Sequence, residues 1–326
     1  MALTGPATYP GEMALFLAHW RSINAEVPVG QPVVLPDGTD LADAEVLLTE
    51  VRDAVDAVQG AALDETFARA ELQLLRVGLR DRLEQFGLTV RAQMAGTPWV
   101  GMLRKLPQAE QALDKLLGDC RYALRLWAQI EVEPGPGGSV GPLFLGPNVD
   151  YSRADFLAQM QAVQAAATGV EDADFAAGVA RARREPVLKT ARELLMSYVR
   201  VIKARFLPDT APLTTLPRLW ALPSHTPDPV VLTAGWDSPE KQARLTWTAS
   251  EDKTLDHYQI RACPGPKYAG EDERVVTRVP KDAPRELLTL DLLPKPGAVA
   301  SYRVYVVLTT GNERASEAVT VDRPEG

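Results

Sequence analysis

From Asp40 to Phe206 the apolar residues recur mostly at every third and fourth position, and beyond residue 230 the spacing changes to every second. The first regime predicts amphipathic helices and the second half-buried strands. In LADAEVLLTEVRDAVDAV, the residues Leu41, Val46, Leu47, Val51, Val55 and Val58 share one helical face. A second helix is expected from about Asp64 to Met94, with an acidic first turn and a stop at Gly96-Thr97-Pro98. A third, about Gln108 to Ile130, ends before the breaker cluster EPGPGG. A fourth begins after an Asp150–Ser152 cap region and pauses near Thr168-Gly169. A fifth runs from about Asp172 to Phe206, with Pro186 as a kink.

The two halves of this helical part echo each other. GEMALFLAHW (Gly11–Trp20) matches GDCRYALRLW (Gly118–Trp127) at the glycine, the following acid, Leu17/Leu124 and Trp20/Trp127. Further on, Glu45-Val46-Leu47 faces Asp155-Phe156-Leu157, Phe67-Ala68 faces Phe175-Ala176, and Leu103–Pro107 faces Leu213–Pro217, at offsets from 107 to 110. The expectation is a tandem duplication with repeats at about 11–107 and 118–217. Each repeat would hold a lead-in helix, a loop and a helical hairpin, and the two hairpins would pack as a pseudo-twofold four-helix bundle. Alanine-rich helices also resemble one another by composition, so the tryptophans and Leu-Pro ends carry most of the weight.

Residues 218–227, with the proline-rich stretch ALPSHTPDPV (Ala221–Val230) running across their end, lack periodicity and read as a stiff linker. Behind it, ARLTWTAS places Leu245 and Trp247 on one face, DHYQIRAC places Tyr258 and Ile260, and SYRVYVVL places Tyr302, Val304, Val306 and Leu308. Short strands at this spacing predict a β-sandwich over 228–326. The chain is thus expected to be a multidomain α and β protein: an all-α domain at 1–217, a linker, and the sandwich.

With Trp247 in the second strand, Tyr258 in the third, the approach LTLDLLPKPG (Leu288–Gly297) and the Tyr302-x-Val304-x-Val306 strand, residues 228–322 resemble the fibronectin type III family. Gly297 and Tyr302 are separated by four residues where the family has two, which implies an enlarged corner. The resemblance implies a seven-stranded sandwich that acts as a binding or spacer module, with no chemistry of its own. The helical part resembles no family we recognise.

Composition narrows the function by exclusion. The net charge of −8, with 35 basic against 43 acidic residues, opposes a general nucleic-acid binder. The N-terminal apolar run has no preceding basic residue and no small-residue cleavage site, so no classical export signal is expected. No apolar run approaches a bilayer span. These features read as a cytoplasmic protein, with non-classical export left open, and the alanine- and arginine-rich style reads as bacterial. Cys120 and Cys263 lack paired spacing, which supports neither a disulfide framework nor a zinc site.

Chemical motifs are sparse. With only His19, His225 and His257, none preceded by an acid three residues earlier, a di-metal bundle site or a histidine-based nucleophile is disfavoured. His225 and His257 are expected to be exposed. GPGG at Gly135–Gly138 lacks the Lys-Ser/Thr of a phosphate loop. No catalytic residue, metal or cofactor is therefore assigned. Trp20 and Trp127 are candidates to line a ligand cleft between the repeats, against the plainer reading of core packing. The run RARRE makes Arg181, Arg183 and Arg184 candidates for an acidic partner, against the plainer reading of a solvated helix face. The expectation for function is a non-enzymatic structural or protein-interaction protein. Its alternatives are a small-ligand sensor bundle and an accessory subunit of a carbohydrate-active or envelope system.

Overall fold

The structure is a computed structural model and describes residues 3–28, 30–105, 112–133, 151–221 and 225–324. The helical elements are α1 (Tyr9–Glu26), α2 (Leu41–Gln93), α3 (Pro98–Gly101), α4 (Leu113–Val132), α5 (Arg153–Arg205) and α6 (Ala211–Thr214). A 3-10 turn at Pro6–Thr8 precedes α1. The strands are β1 (Leu232–Asp237), β2 (Gln242–Trp247), β3 (Leu255–Pro264), β4 (Arg274–Pro280), β5 (Glu286–Thr289), β6 (Val299–Leu308), β7 (Glu313–Ala315) and β8 (Val319–Asp322).

The expected helical hairpins are absent. Each fuses into a single helix of 53 residues, α2 and α5, which run unbroken through Gly60 and Gly169. A lone glycine in a helix interior costs about 1 kcal/mol. Flanking alanines and the absence of proline leave no other reason to stop. The helix also continues through Pro186, which removes one backbone donor without ending α5.

The chain forms two compact units, and neither boundary lies at the proline-rich segment. One unit comprises Met1–Thr66 with Ala173–Gly326, the other Phe67–Asp172. The helical core of the first unit joins α1 (Met13, Phe16, Trp20, Ile23), the start of α2 (Ala44, Leu48, Val51, Val55) and the end of α5 (Leu188, Ala191, Leu195, Tyr198, Ile202). That of the second joins the end of α2 (Leu79, Leu83, Phe86, Val90), α4 (Cys120, Ala123, Trp127, Ile130) and the start of α5 (Phe156, Met160, Val163). Each core is therefore built from three helical segments, in place of the expected four-helix bundle.

The two cores use corresponding positions. On the short helices the offset is 107: Met13, Phe16, Trp20 and Ile23 correspond to Cys120, Ala123, Trp127 and Ile130, all buried. On the long helices it is 112: Ala44, Leu48 and Val51 correspond to Phe156, Met160 and Val163, and Leu79, Leu83, Phe86 and Val90 to Ala191, Leu195, Tyr198 and Ile202. Trp20 stacks on Tyr198 with centroids 4.7 Å apart, and Trp127 on Phe86 at 5.2 Å. Both long helices start with a reciprocal cap. The Asp43 N–H donates to Asp40 Oδ1 and the Asp40 N–H to Asp43 Oδ2, while Asp155 and Ser152 repeat the pattern.

This register corrects one expected pairing. Phe67 and Phe175 are 108 apart and do not correspond. Phe175 is 74 % exposed, whereas Phe67 is half-buried. The shift arises because the loops between short and long helices differ in length, which a single offset cannot absorb. The Leu106-Pro107 end of the first repeat, the GPGG stretch, Asp150 and linker residues 222–224 lie outside the described residues.

The C-terminal region is a pair of antiparallel sheets. One has strand order β1-β2-β5; the other is β4-β3-β6-β7, with β8 also paired to β6. Tyr258 sits opposite Val306 and Trp247 opposite Leu232. Leu245, Trp247, Tyr258, Ile260, Tyr302, Val304 and Val306 are all buried, as the alternation predicts. The Tyr302 hydroxyl donates to the Asp291 carbonyl at 2.7 Å, closing the corner that Leu292 and Gly297 turn with positive φ.

Candidate functional site

Strand alternation points Tyr258, Ile260 and Ala262 of β3 into the sandwich and His257, Gln259, Arg261 and Cys263 to the opposite face. All seven are nevertheless buried. The outer face of the larger sheet is covered by helical residues of the same unit, and the buried charged residues Glu12, Arg184, Arg261, Asp272 and Glu273 lie at this joint.

Arg261 is the centre of the joint, with its side chain 2 % exposed. Its Nη1 donates to Glu273 Oε1 at 3.0 Å, its Nη2 to Glu313 Oε2 at 2.6 Å and its Nε to Gln259 Oε1 at 2.6 Å. Its guanidinium also lies 3.8 Å from the Tyr305 ring centroid. The hydroxyls of Tyr268 and Tyr305 donate to Glu273 Oε2 at 2.6 and 2.9 Å. Burial opposes charge on Arg261, but Glu313 and Glu273 more than offset it and its pKa is raised. Burial first, then the Glu273 charge, pushes the Tyr268 hydroxyl well above its ordinary range, which keeps it a donor.

Helical residues close over this network. A Cβ on Gly5 would stand 3.6 Å from Glu273 Oε1, and one on Gly11 would come within 2.9 Å of Arg278 Nη2. A side chain at Gly11 would therefore displace that guanidinium. Glu12, fully buried in α1, approaches Arg278 of β4 at 3.5 Å. Burial raises the Glu12 carboxyl pKa and lowers that of Arg278.

The arginine run supplies the other half of the joint. Arg181 forms a two-pronged pair with Asp272, Nε to Oδ1 at 2.8 Å and Nη2 to Oδ2 at 2.7 Å. Arg184 is buried and donates through Nη1 to the Glu271 carbonyl at 2.6 Å. Arg183 is exposed. The β3–β4 loop of the same chain thus supplies the Asp272 carboxylate to Arg181 and the Glu271 backbone carbonyl to Arg184. The signal for this was present in the acidic run Glu271-Asp272-Glu273, but nothing in the spacing linked it to residues some ninety positions earlier.

Trp20 and Trp127, each 1 % exposed, sit in separate helical cores, buried away from any open cleft among the described residues. The Trp20 Nε1 donates to the Val33 carbonyl at 3.0 Å; that of Trp127 has no partner among the described residues. His257 is buried, against expectation, because the face it occupies is covered; its Nδ1 lies 2.9 Å from Asp256 Oδ2. His225 is exposed and pairs with Asp252. His19 is buried between Tyr198 Oη, 2.7 Å from Nδ1, and the Pro212 carbonyl, 3.1 Å from Nε2. Since a carbonyl only accepts, Nε2 carries the proton and Nδ1 accepts from the tyrosine. Burial lowers the His19 pKa.

Both cysteines are free and buried, and burial pushes each thiol up to about 12, away from thiolate chemistry. Among the described residues no cluster of His, Cys, Asp and Glu is arranged to hold a metal, and no helix is long and apolar enough to cross a membrane.

No family model matches the chain, and no curated protein is significantly similar to it. Solved structures are matched over about a third of its length. Pectate lyase PelI from Erwinia chrysanthemi, in complex with tetragalacturonic acid, is 17% identical with a TM-score of 0.25, over 28% of this chain and 28% of the lyase. An Fn3-like protein from Clostridium thermocellum is 20% identical with a TM-score of 0.25, over 31% of this chain and 98% of that one. The fn3 domain of human collagen alpha-1(XX) is 14% identical with a TM-score of 0.24, over 32% and 89%. The chain therefore spans little more than a quarter of the lyase it matches.

Proposed function

We propose that the chain is a non-enzymatic structural or protein-interaction protein, a duplicated helical scaffold to which a fibronectin type III-like module is fixed. The duplication is supported by the matched buried positions, the paired Trp stacks and the repeated helix caps. The fibronectin type III-like reading is supported by the strand order and by the Tyr302–Asp291 corner bond. The observation that carries the proposal is the engagement of Arg181 and Arg184 by Asp272 and Glu271. A module bound through its outer sheet face to its own helices is a structural part of the molecule, and partners must use what remains outside.

On α5, Phe175 and Arg183 remain outside, both exposed and eight residues apart, a spacing that keeps them on one side of the helix. An exposed aromatic and an exposed arginine two helical turns apart, about 12 Å along the axis, offer the residue types of a protein-binding hot spot. A photo-crosslinking residue at position 175, in the full chain and its native cells, should trap a discrete protein adduct that Arg183→Glu diminishes. Absence of any adduct at 175 would overturn the reading.

A further inference from the structure

A cleft of about 340 Å³ opens in the first unit between the 3-10 turn, α1, α2 and β4. Its lining is rich in donors. Arg52 comes from α2 and Arg274 and Arg278 from β4, while Asp56 is the sole carboxylate among the lining residues. Arg274 is held from one side by Asp291, with Nη2 2.7 Å from Oδ1, and Arg278 approaches Glu12 at 3.5 Å. A guanidinium carries five N–H groups, so one such contact leaves the remaining edge free to donate. Arg52 makes no ion pair among the described residues. Gln59, 7 % exposed, also lines the cleft and makes no side-chain hydrogen bond among the described residues.

We infer that this cleft is a binding site for a small ligand bearing an oxyanion, carboxylate or phosphate, held between Arg52 of α2 and Arg274 and Arg278 of β4, with the Gln59 amide as a further donor. Three guanidinium-bearing side chains line this one open space against a single carboxylate, Asp56, and an oxyanion is the chemistry that would engage them together. Burial depresses the Arg278 pKa, so the charge of Glu12 alone does not offset its desolvation. A ligand anion would supply the missing compensation. Because the lining residues come from helical and strand elements alike, binding would also tie α2 to β4. The inference is independent of the protein-partner proposal, which concerns the exposed side of α5.

The test is titration calorimetry of the full chain with inorganic phosphate and with citrate, each against sodium chloride at matched ionic strength. Saturable one-to-one binding of at least one anion is expected; phosphate alone would assign a phosphate ligand and citrate alone a carboxylate. Arg52→Gln, a substitution at an exposed position, should weaken that binding by about tenfold, the loss of one charge-assisted contact. Arg200→Gln, at an exposed position of α5 outside the cleft, should leave it unchanged. No saturable binding by either anion, or equal weakening by both substitutions, would overturn the inference.

Discussion

Removing Glu273 tests whether the outer face of the larger sheet is truly dry. Glu273→Ala deletes the acceptor of one Arg261 bond and of two tyrosine hydroxyls, at 3.0, 2.6 and 2.9 Å. Taking one partner from a buried ion pair costs about 3–5 kcal/mol, but Arg261 keeps Glu313 and Gln259, which lowers that share. Each hydroxyl left without an acceptor adds about 1–3 kcal/mol unless it rotates to another partner. A total near 4 kcal/mol is expected, with Glu273→Gln near half of that because it keeps one acceptor oxygen. Urea unfolding of the full chain, followed by circular dichroism and tryptophan fluorescence, reads the difference. The same network in water would be worth about 0–1 kcal/mol. A loss below about 1 kcal/mol for the alanine variant would mean that the face is hydrated and the helical cover is not in place.

Two further substitutions probe other parts of the unit. Trp247→Ala removes a buried indole packed edge-on to Tyr258 at 5.8 Å and should cost about 3–5 kcal/mol; calorimetry should show α1, the end of α5 and the sandwich losing stability together, and an unshifted transition would place Trp247 at the surface. His19, whose folded pKa is lowered from 6.5, is neutral in the fold, so its contribution is present above pH 6.5 and lost as pH falls through the lowered folded value. His19→Gln should flatten the acid limb of the stability profile between pH 7.5 and 5, and an unchanged slope would mean that His19 is not the group being charged.

How far the sequence was legible depended on what each pattern encodes. Period-two alternation located β2, β3 and β6 and the residues Leu245, Tyr258 and Val304 of the core, because one face of each strand must be apolar. The same alternation left Gln259 and Arg261 as ordinary solvent-facing residues, since a polar face covered by protein reads the same as one covered by water. A hint lay in Tyr305 and Tyr268, aromatics on or beside that polar face. The tryptophan pair was readable as an echo, whereas the matching helix caps at Asp40 and Ser152 were not. Nor was the register of the echo along α2 and α5, because loops of unequal length break a single offset. The fusion of each hairpin into one helix was hidden by glycines that look like stops but carry only a small penalty. Finally, the arginine run offered an acidic partner beside the plainer reading of a solvated face, and nothing in it pointed to Asp272.

The joint itself is tested most directly by a double-mutant cycle on Arg181 and Asp272, measured by urea unfolding of the full chain. The two-pronged contact joins α5 to the β3–β4 loop, and its partners are 31% and 9% exposed, so water weakens but does not remove the interaction. Arg181→Ala and Asp272→Ala should each destabilise, and the double variant should lose less than their sum, leaving a coupling of about 1 kcal/mol. Strictly additive losses, with a coupling indistinguishable from zero, would contradict the joint and return the sandwich to a pendant module.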